Sequence, residues 1–391
     1  MVVLGRGLDD TFSLEVRQRI TLLTLARTTA NGCFRFAPPF LATIASGLDV
    51  SLDTIGIAVA VSELSGLLSP ATGAFAERFH RRTAMASGLI AVGVGALIAA
   101  GAQNLVMLAV ALVVMNQSKV LFDLGLGAWV SDRVPYEQRG RVIGLTETSW
   151  ALGLLIGVSL MGALTAVVGW RAGFGLGVAA VVVLGAVVAA RVDAQRPARA
   201  SDRRVGAVRG RGWLVVAAMF VLMVSAQSLF VTFGPWFEDR FGFDAALLSA
   251  LGFALGAVEL VASTTSARRT DRWGKERSVA LGSLLIVPGA LLVVAGDSAV
   301  AVAVAGTAVW LLGFEFAVVS MLPMATHLAP DSPGAGLGWV LGAGALGRAL
   351  AAVVATSAYE RGGIAGPAVL GAACAAACAG LIAAHGARQP R

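Results

Sequence analysis

The sequence predicts an all-α membrane protein with twelve transmembrane helices in two pseudo-symmetric six-helix bundles. Three observations support this prediction: the composition, the number of apolar stretches and a polar break at the middle of the chain. Hydrophobic residues make up 57% of the 391 residues and charged residues 14%, and the mean hydropathy is +0.80. Soluble domains carry about 25% charged residues. This chain therefore has too little polar surface to fold as a water-soluble protein.

Long apolar stretches give the number of helices. A hydrocarbon layer about 30 Å thick needs about 20 apolar residues in each helix that crosses it. The N-terminal segment MVVLGRGLDDTFSLEVRQR contains no apolar core, so we expect no cleaved signal peptide. The predicted spans are residues 20–46, 53–76, 81–102, 105–131, 140–166, 172–190, 213–237, 246–268, 278–296, 299–326, 336–359 and 364–385.

The longest polar interruption divides the chain into halves. Residues 191–212 are rich in Arg, Pro and Gly, which is typical of a linker. We therefore predict an N-terminal bundle at 1–190 and a C-terminal bundle at 213–391. The halves also repeat at an offset of 194 residues, and many transporters are built from such repeats. The offset joins Glu77 to Asp271, Arg78 to Arg272, Gly140 to Gly334, Gly144 to Gly338 and Gly153 to Gly347.

Basic residues are distributed unequally between the two sets of predicted loops. Of the 30 Lys and Arg residues, 23 lie on the termini, the linker and the loops of one side, whereas the opposite loops hold only Arg171, Arg240 and Arg361. Cytoplasmic loops carry the excess of positive charge in membrane proteins. We expect a multi-pass protein of the inner (plasma) membrane with both termini in the cytoplasm. The same bias explains the net charge of +7, so we expect no nucleic-acid partner.

Neither the cysteines nor the histidines form a metal-binding pattern. Cys33, Cys374 and Cys378 lie among apolar residues, and the three histidines form no HExxH or CxxC-type ligand set. The phosphate-binding pattern GxxxxGK[ST] does not occur, so ATP is not expected as the direct energy source. No combination of nucleophile and base indicates an enzyme. We expect no cofactor, no metal and no enzymatic activity.

Several motifs resemble those of the major facilitator superfamily, and the likeness covers essentially the whole chain. GAFAERFHRR, residues 73–82, is similar to that family's loop between helices 2 and 3, and DRWGK, residues 271–275, is its echo. VPYEQRGR, residues 134–141, resembles the loop before helix 5, and GWRAGF, residues 169–174, resembles the segment that joins helices 5 and 6. GLLIGVSLMG, residues 153–162, resembles the glycine motif of helix 5 in drug-exporting members, although a valine replaces the usual proline.

The resemblance implies that the loop motif is a latch holding the cytoplasmic side closed. An acid at the end of a helix can meet a basic residue or a helix N-terminus in one conformation and lose that contact in another. The alternative is that the arginines of the motif only fix the topology. The latch residues are Gly73, Glu77, Arg78, Arg81 and Arg82, with Asp271, Arg272 and Lys275 in the second half.

Charged residues within the spans separate inner from outer helices. In the family's fold, helices 1, 4, 7 and 10 line the central cavity and helices 3, 6, 9 and 12 are peripheral. Here the interiors of spans 3, 6, 9 and 12 carry no charge. Charge in hydrocarbon is costly and normally faces the interior of the bundle. The intramembrane charges are Arg27, Arg35, Glu63, Lys119, Asp123, Glu147, Glu259, Glu315 and Arg348.

Depth predicts how the charges of the N-terminal half meet. At about 1.5 Å per residue, Arg27 lies near the level of Asp123 and Glu147, and Arg35 lies near the level of Glu63. With three bases and three acids, this half can neutralise itself. Its charges either contact the substrate or are structural ion pairs. The candidate cavity residues are Arg27, Asn31, Arg35, Lys119 and Asp123, with the aromatic residues Phe122, Trp310 and Phe314.

The C-terminal half has two buried acids and one base, Arg348. A buried carboxyl that no base neutralises can take up and release a proton near neutral pH. Glu315, between two phenylalanines on a cavity helix, is the first candidate for proton coupling, and Glu259 is the second. The alternative is that both acids share Arg348. Glu63, Glu147 and Arg348 complete the set of coupling candidates.

These features favour a secondary transporter that moves a small organic molecule by alternating access, with proton-coupled efflux as the leading prediction. One alternative is uptake or exchange of an organic anion that Arg27 and Arg35 clamp. A lipid or amphiphile is a third possible substrate class. A receptor or scaffold has little need for so many buried charges. The expected partners are a small-molecule substrate, protons and the lipid bilayer, and we expect a monomer.

Overall fold

All regular secondary structure within the described part of the chain is helical. In a computed structural model, the described residues are 5, 8–69, 72, 79–194, 208, 210–325, 328 and 333–387. The α-helices of the first half are α1 (Leu14–Arg35), α2 (Leu41–Gly47), α3 (Leu52–Ser65), α4 (Arg81–Ala100), α5 (Leu105–Arg133), α6 (Tyr136–Leu152), α7 (Ser159–Val168) and α8 (Trp170–Arg191). Those of the second half are α9 (Gly212–Phe230), α10 (Phe233–Phe241), α11 (Ala245–Trp273), α12 (Lys275–Ala295), α13 (Val300–Ala325), α14 (Pro333–Gly362) and α15 (Ala365–Gly386).

The helices follow the twelve predicted spans in order, and ten within the described residues are long and apolar enough to cross a membrane. The predicted first span, 20–46, is divided between α1 and α2. It is interrupted because prolines at 38 and 39 lack the backbone N–H that a helix interior needs. The predicted second span, 53–76, begins with α3, and most of its end lies outside the described residues.

Polar side chains set the first residue of several helices. The Asn104 side chain accepts a hydrogen bond from the backbone N–H of Met107 at 2.9 Å, and Asp244 accepts one from Leu247 at 2.8 Å. Such caps satisfy N–H groups that have no partner within the helix. Inside lipid the remaining backbone groups must bond within the chain, which is why the apolar stretches become continuous helices.

The described chain groups into two compact units. Unit 1 consists of Met1–Ala37 and Ser65–Ser201, and unit 2 consists of Pro38–Leu64 and Asp202–Arg391. Most of α3 therefore belongs to unit 2, although it lies in the first half of the sequence. The predicted division into bundles at 1–190 and 213–391 remains a prediction.

Small residues bring the helices of unit 1 close together. Helix α4 packs against α5 and α8, and α1 packs against α6 and the π-helix Gly153–Val158 that joins α6 to α7. A Cβ atom on Gly157 would lie 2.9 Å from the Cα atom of Gly32, so any side chain here would separate the helices. The glycine segment singled out in the sequence thus forms a close helix crossing.

Unit 2 combines the helices of the second half with residues 38–64. Helix α12 packs against α13 and α15, α9 packs against α14 and α15, and α11 packs against α13. The segment 38–64 adds polar contacts at the ends of these helices. The Thr43 hydroxyl donates to Glu238 Oε1 at 2.9 Å, and the backbone N–H of Asp53 donates to Glu360 Oε1 at 2.9 Å.

Candidate functional site

Arg27 is the centre of a partly buried ion network in unit 1, in which the Glu147 side chain is 43% exposed. Its Nε donates to Asp123 Oδ1 at 2.8 Å, and its Nη1 donates to Glu147 Oε1 at 2.7 Å and to the Thr146 carbonyl at 3.2 Å. Lys119 Nζ, one helical turn before Asp123 on α5, donates to Asp123 Oδ2 at 2.6 Å. Each oxygen of Asp123 therefore meets a different cation. Two bases and two acids make this network neutral, as a buried cluster of charges requires.

The polar stripe of α1 lies against α6. Asn31 Nδ2 donates to the Ser149 hydroxyl at 3.2 Å, and Arg35 Nη1 donates to the Trp150 carbonyl at 2.9 Å. The residues of α6 that meet this stripe belong to the segment TETSW, residues 146–150. Of this segment, the sequence indicated only Glu147 as a candidate site residue. Polar spacing alone could have found Ser149, whereas the Trp150 carbonyl is a backbone group that no residue pattern reveals.

Cations and aromatic rings meet beside the ion network. The Arg35 guanidinium lies 4.6 Å from the centre of the Trp150 ring, and Lys119 Nζ lies 5.6 Å from the same ring. Lys119 Nζ also lies 5.7 Å from the ring of Phe34. A cation over an aromatic face is stabilised by the charge distribution of the ring. We call Phe34, Arg35, Lys119 and Trp150 the aromatic–cation cluster.

Glu63 ion-pairs with Arg348, which corrects the expected charge balance. Arg348 Nε donates to Glu63 Oε2 at 2.7 Å within unit 2, and the Glu63 side chain is only 7% exposed. Arg348 Nη1 also lies 3.6 Å from the Met223 sulfur. The expectation that the N-terminal half neutralises itself with Glu63 is therefore wrong. The expectation assigned Glu63 to the first half because of its position in the sequence. Most of α3, which carries Glu63, belongs to unit 2.

Glu315 and Glu259 are the other buried acids of unit 2. The Ser263 hydroxyl of α11 donates to Glu315 Oε1 of α13 at 2.5 Å. Glu315 is 3% exposed and Glu259 is fully buried. The alternative that these acids share Arg348 stays a prediction: Arg348 holds Glu63, but a guanidinium can hold two carboxylates, as Arg27 does. Ser263 was missed in the sequence, since its alignment with Glu315 depends on how α11 and α13 are rotated.

The predicted aromatic residues fall into two groups. Phe314 meets Phe230 of α9 edge to face, with ring centres 6.0 Å apart. Phe122 and Trp310 instead occupy contacts between helices. A Cβ atom on Gly88 would lie 2.8 Å from Phe122 N, and one on Gly371 would lie 2.1 Å from Trp310 Cζ2. We assign Phe122 and Trp310 to helix packing, because glycines opposite them leave space for this close approach.

The latch motif is described only in part. Gly73, Glu77 and Arg78 lie outside the described residues, as does the side chain of Asp271. Arg81 Nε donates to Asp132 Oδ2 at the end of α5, at 2.9 Å. Arg82, Arg272 and Lys275 lie at helix ends, and Arg272 is exposed. Arg81 thus has an acidic partner within unit 1 that the motif alone did not indicate, and the latch role stays a prediction.

The part of the chain that the structure describes contains no group of three or more His, Cys, Asp or Glu side chains that could hold a metal ion. The three cysteines are free thiols, and Cys33 and Cys378 are buried. The polar centre of each unit is therefore built from ion pairs, hydroxyl groups and aromatic rings.

Comparison with known proteins identifies the family. The sequence profile of the Major Facilitator Superfamily matches residues 22–352. YwfA of Bacillus subtilis (strain 168), named an uncharacterized MFS-type transporter, is 27% identical over 134 residues, which are 34% of this chain and 32% of YwfA. YgaY of Escherichia coli (strain K12), named a putative uncharacterized transporter, is 27% identical over 158 residues, covering 40% of this chain and 39% of YgaY. The chain thus matches less than half the length of either relative.

Solved structures agree on the fold. A bacterial homolog of the human lysosomal transporter Spinster, in an inward-facing and unoccupied conformation, has a TM-score of 0.75 at 13% identity, covering 95% of this chain and 94% of that one. The human organic anion transporter MFSD10 has a TM-score of 0.72 at 18% identity, covering 94% and 99%. Because the family profile spans most of the sequence and the helices follow the same fold, the chain belongs to the Major Facilitator Superfamily and is a membrane transporter rather than an enzyme.

Proposed function

We propose that this transporter expels a small organic molecule in exchange for protons, with Glu315 as the proton-binding group. The observation that carries the proposal is the contact between the Ser263 hydroxyl and Glu315 Oε1, at 2.5 Å, in the buried centre of unit 2. Membership of the family supports the transport function. The hydroxyl contact of Glu315 supports the coupling of transport to protons.

A carboxyl group that couples transport to protons needs neighbours that can hydrogen-bond to both its ionised and its protonated form. An arginine partner favours only the ionised state, because its protons cannot be withdrawn. A serine hydroxyl can donate to a carboxylate and can accept from a carboxylic acid. Arg348 is held by Glu63 at 2.7 Å. These features support Glu315 as the proton carrier and Glu63 as a structural anion.

Glu259 is the second candidate for the same role. It lies on α11, four residues before Ser263 and on the same face, because four residues make about one helical turn. It is fully buried. If Glu259→Gln loses coupling while Glu315→Gln keeps it, the assignment transfers to Glu259.

The test begins with a substrate. A thermal-shift screen of the purified protein against cationic, neutral and anionic metabolites at two pH values will identify ligands, because a ligand stabilises the state that it binds. A ligand found in this way is then added outside proteoliposomes with an acidic interior, so that protons moving outward drive the ligand inward. We expect wild-type protein to accumulate it and Glu315→Gln to lose accumulation while it still exchanges the ligand between the two sides.

Glu276→Gln is the matched control, since Glu276 is an acid of the same unit at the beginning of α12. It should transport as the wild type does. Accumulation by Glu315→Gln at the wild-type rate would overturn the assignment to Glu315. If Glu259→Gln also stays coupled, the proton route lies among Glu63, Asp123 and Glu147 or does not exist.

The aromatic–cation cluster supports a second candidate function, the transport of an organic anion. Arg35 and Lys119 present two cations to one Trp150 ring, which suits a flat ligand carrying a carboxylate or phosphate. MFSD10, which shares the fold, is an organic anion transporter. Stabilisation by small carboxylates that Arg35→Met abolishes would favour this candidate, whereas stabilisation by amphiphiles alone would favour a lipid-like substrate.

We further propose that both termini and the 191–212 linker lie in the cytoplasm, and that the protein is a monomer of the inner membrane. The asymmetry of 23 against three basic residues supports this orientation. Cysteine labelling in intact cells should find the linker protected from reagents added outside. Labelling of the linker from outside would reverse the orientation and with it the direction of efflux.

A further inference from the structure

Three hydroxyl side chains form a closed ring of hydrogen bonds inside unit 2. Ser266 Oγ of α11 lies 3.1 Å from Thr270 Oγ1 and 2.9 Å from Ser320 Oγ of α13, and Thr270 Oγ1 lies 2.7 Å from Ser320 Oγ. All three residues are buried. We call Ser266, Thr270 and Ser320 the hydroxyl ring. Because each hydroxyl can donate and accept, the bonds of the ring can run in either direction.

Two other buried hydroxyls of unit 2, those of Ser228 and Thr356, bond to their own helices instead. Ser228 donates to the Val224 carbonyl at 2.7 Å, and Thr356 donates to the Ala352 carbonyl at 2.7 Å. A bond of this kind satisfies a hydroxyl without any partner on a neighbouring helix. Burial alone therefore does not require the hydroxyl ring, which links α11 to α13.

The hydroxyl ring continues a polar face that begins at the buried acids. Residues 259, 263, 266 and 270 follow at spacings of four, three and four on α11, so they share one face of the helix. Ser263 already donates to Glu315. From Ser263 to Ser266 the helix rises about 4.5 Å, a gap that one water molecule can bridge. Thr270 lies less than one turn before the end of α11 at Trp273.

The repeat of the chain separates the hydroxyl face from the acid that it serves. At the offset of 194 residues, the face of α11 corresponds to Ser65, Ser69, Thr72 and Ala76. Glu315 and Ser320 instead correspond to Leu121 and Leu126. Hydroxyl groups on this face therefore recur in the first half, whereas the acid and the serine of the facing helix are specific to the half that contains Glu315.

We propose that the hydroxyl ring is a proton relay between Glu315 and the arginine-rich end of α11. This proposal rests on the proposed function, because it requires Glu315 to bind and release a proton. On release, the Glu315 carboxyl gives its proton to the Ser263 hydroxyl oxygen, which passes its own hydrogen to a bridging water. Each ring hydroxyl then accepts one proton and donates another, and the last proton reaches water at the end of α11. Rotation of the hydroxyls restores the starting direction of the bonds.

The charged groups around the relay are few. Helix α9, which packs against α13, carries no titratable residue, and α12 carries them only in its first turn. Helix α14 contributes Arg348, which holds Glu63, and Tyr359, which donates to Asp239 at 2.8 Å. The titratable residues of these elements are Glu259, Arg268, Arg269, Asp271, Arg272, Lys275, Glu276, Arg277, Glu315, Arg348, Tyr359, Glu360 and Arg361.

Time-resolved infrared spectroscopy tests the relay without a known substrate. The full-length protein in lipid is subjected to a pH jump, and the C=O stretch of the protonated Glu315 carboxyl is followed with time, with Glu315→Gln identifying the band. Ser266→Ala and Thr270→Val each break the chain of hydroxyls, because Ser266 is the first ring residue of the proposed path and Thr270 the last. We expect both to slow proton exchange at Glu315 by about tenfold or more, the effect of a barrier raised by one lost hydrogen bond. The equilibrium midpoint of the titration should not change.

Matched controls distinguish a relay from a packing effect. Thr264→Val removes a hydroxyl of α11 that donates to the Leu260 carbonyl at 2.7 Å, and Ser283→Ala removes a buried hydroxyl that donates to Cys378 Sγ at 3.3 Å. Both should exchange protons at the wild-type rate. Thr270→Ser, which keeps a hydroxyl, should do so as well, and it tests the position even if Thr270→Val does not fold.

The outcomes separate this proposal from the proposed function. If no band disappears in Glu315→Gln, then Glu315 does not titrate, and the proposed function and the relay both fail. If the band is present but Ser266→Ala and Thr270→Val exchange at the wild-type rate, the relay is wrong while Glu315 remains the coupling group. Equal slowing in the Ser283→Ala control would also overturn the relay.

Discussion

Unit 1 and unit 2 both bury ionisable side chains, but they surround them with different groups. In unit 1, Asp123 is held by two cations, Arg27 and Lys119, at 2.8 and 2.6 Å. In unit 2, Glu315 is held by the hydroxyl of Ser263. The balance of charge also differs: within the predicted spans, bases outnumber acids by three to two in unit 1, whereas acids outnumber bases by three to one in unit 2. The charges within the predicted spans are Arg27, Arg35, Lys119, Asp123 and Glu147 in unit 1, and Glu63, Glu259, Glu315 and Arg348 in unit 2.

This difference bears on which residues can change charge during transport. An anion between two cations stays ionised, because a proton would have to replace strong, charge-assisted hydrogen bonds. A carboxyl beside a hydroxyl exchanges its proton with little rearrangement of its neighbours. We therefore interpret the ion network of unit 1 as a fixed structural element and the acids of unit 2 as the groups that respond to the proton gradient.

The largest effect is expected from Asp123→Asn, which breaks the network of unit 1. The substitution leaves Arg27 and Lys119 with Glu147 as the remaining acid of the network, so one cation is buried without compensation. Breaking a buried ion pair in this way costs about 3–5 kcal/mol. We expect poor expression and a strongly lowered unfolding temperature in detergent.

The double variant Asp123→Asn/Lys119→Met provides the control for this prediction. It restores neutrality, because Arg27 keeps its 2.7 Å pair with Glu147. We expect most of the lost stability to return. If the double variant folds but no longer transports, the network also contacts the substrate. If Asp123→Asn alone is as stable as the wild type, the ion network does not hold unit 1 together.

Much of the fold was predictable because lipid imposes simple rules on a sequence. Apolar stretches of about 20 residues gave helices in the expected order. Lys119 and Asp123 were expected to meet because four residues make about one helical turn. Depth along the helices likewise placed Arg27 beside Asp123 and Glu147, and the structure brings all three together.

The remaining contacts depend on which helices pack together and on how each helix is rotated about its axis, and the sequence does not reveal either. Glu63 meets Arg348 because α3 groups with the second half, and a count by sequence halves cannot show this. Ser263 meets Glu315 because α11 and α13 have particular rotations about their axes. The same is true of the hydroxyl ring, whose serines and threonine resemble any other small polar residues in a membrane helix.

A smaller effect is expected from Glu315→Gln, which tests the unit 2 side of the comparison. The glutamine carbonyl can accept the Ser263 hydroxyl, so the contact is retained without a charge. We expect the unfolding free energy to change by about 1 kcal/mol or less. Thermal unfolding of this variant and of Asp123→Asn in the same detergent measures the contrast directly. Equal losses in the two variants would show that the units do not differ in this way.

The smallest effect is expected at the surface of unit 1, where Arg141 Nη1 donates to Asp9 Oδ2 at 2.6 Å. Hydrogen bonds from Thr11 and Arg141 hold the pKa of Asp9 below its ordinary value. The ionised form therefore stabilises the fold above the ordinary pKa of an aspartate, and this contribution disappears as the pH falls through the lowered pKa. Both side chains are about half exposed, so salt screens their attraction.

Asp9→Asn should therefore lower the unfolding temperature only slightly at neutral pH and not at all in strong acid. A double-mutant cycle with Arg141→Met isolates the interaction between the two side chains. Its coupling free energy should shrink as salt is added, whereas the coupling between Asp123 and Lys119 should persist, because buried pairs are screened much less. If the two coupling energies respond equally to salt, then the Asp123 network is accessible to solvent, and its interpretation as a fixed buried element of unit 1 is wrong.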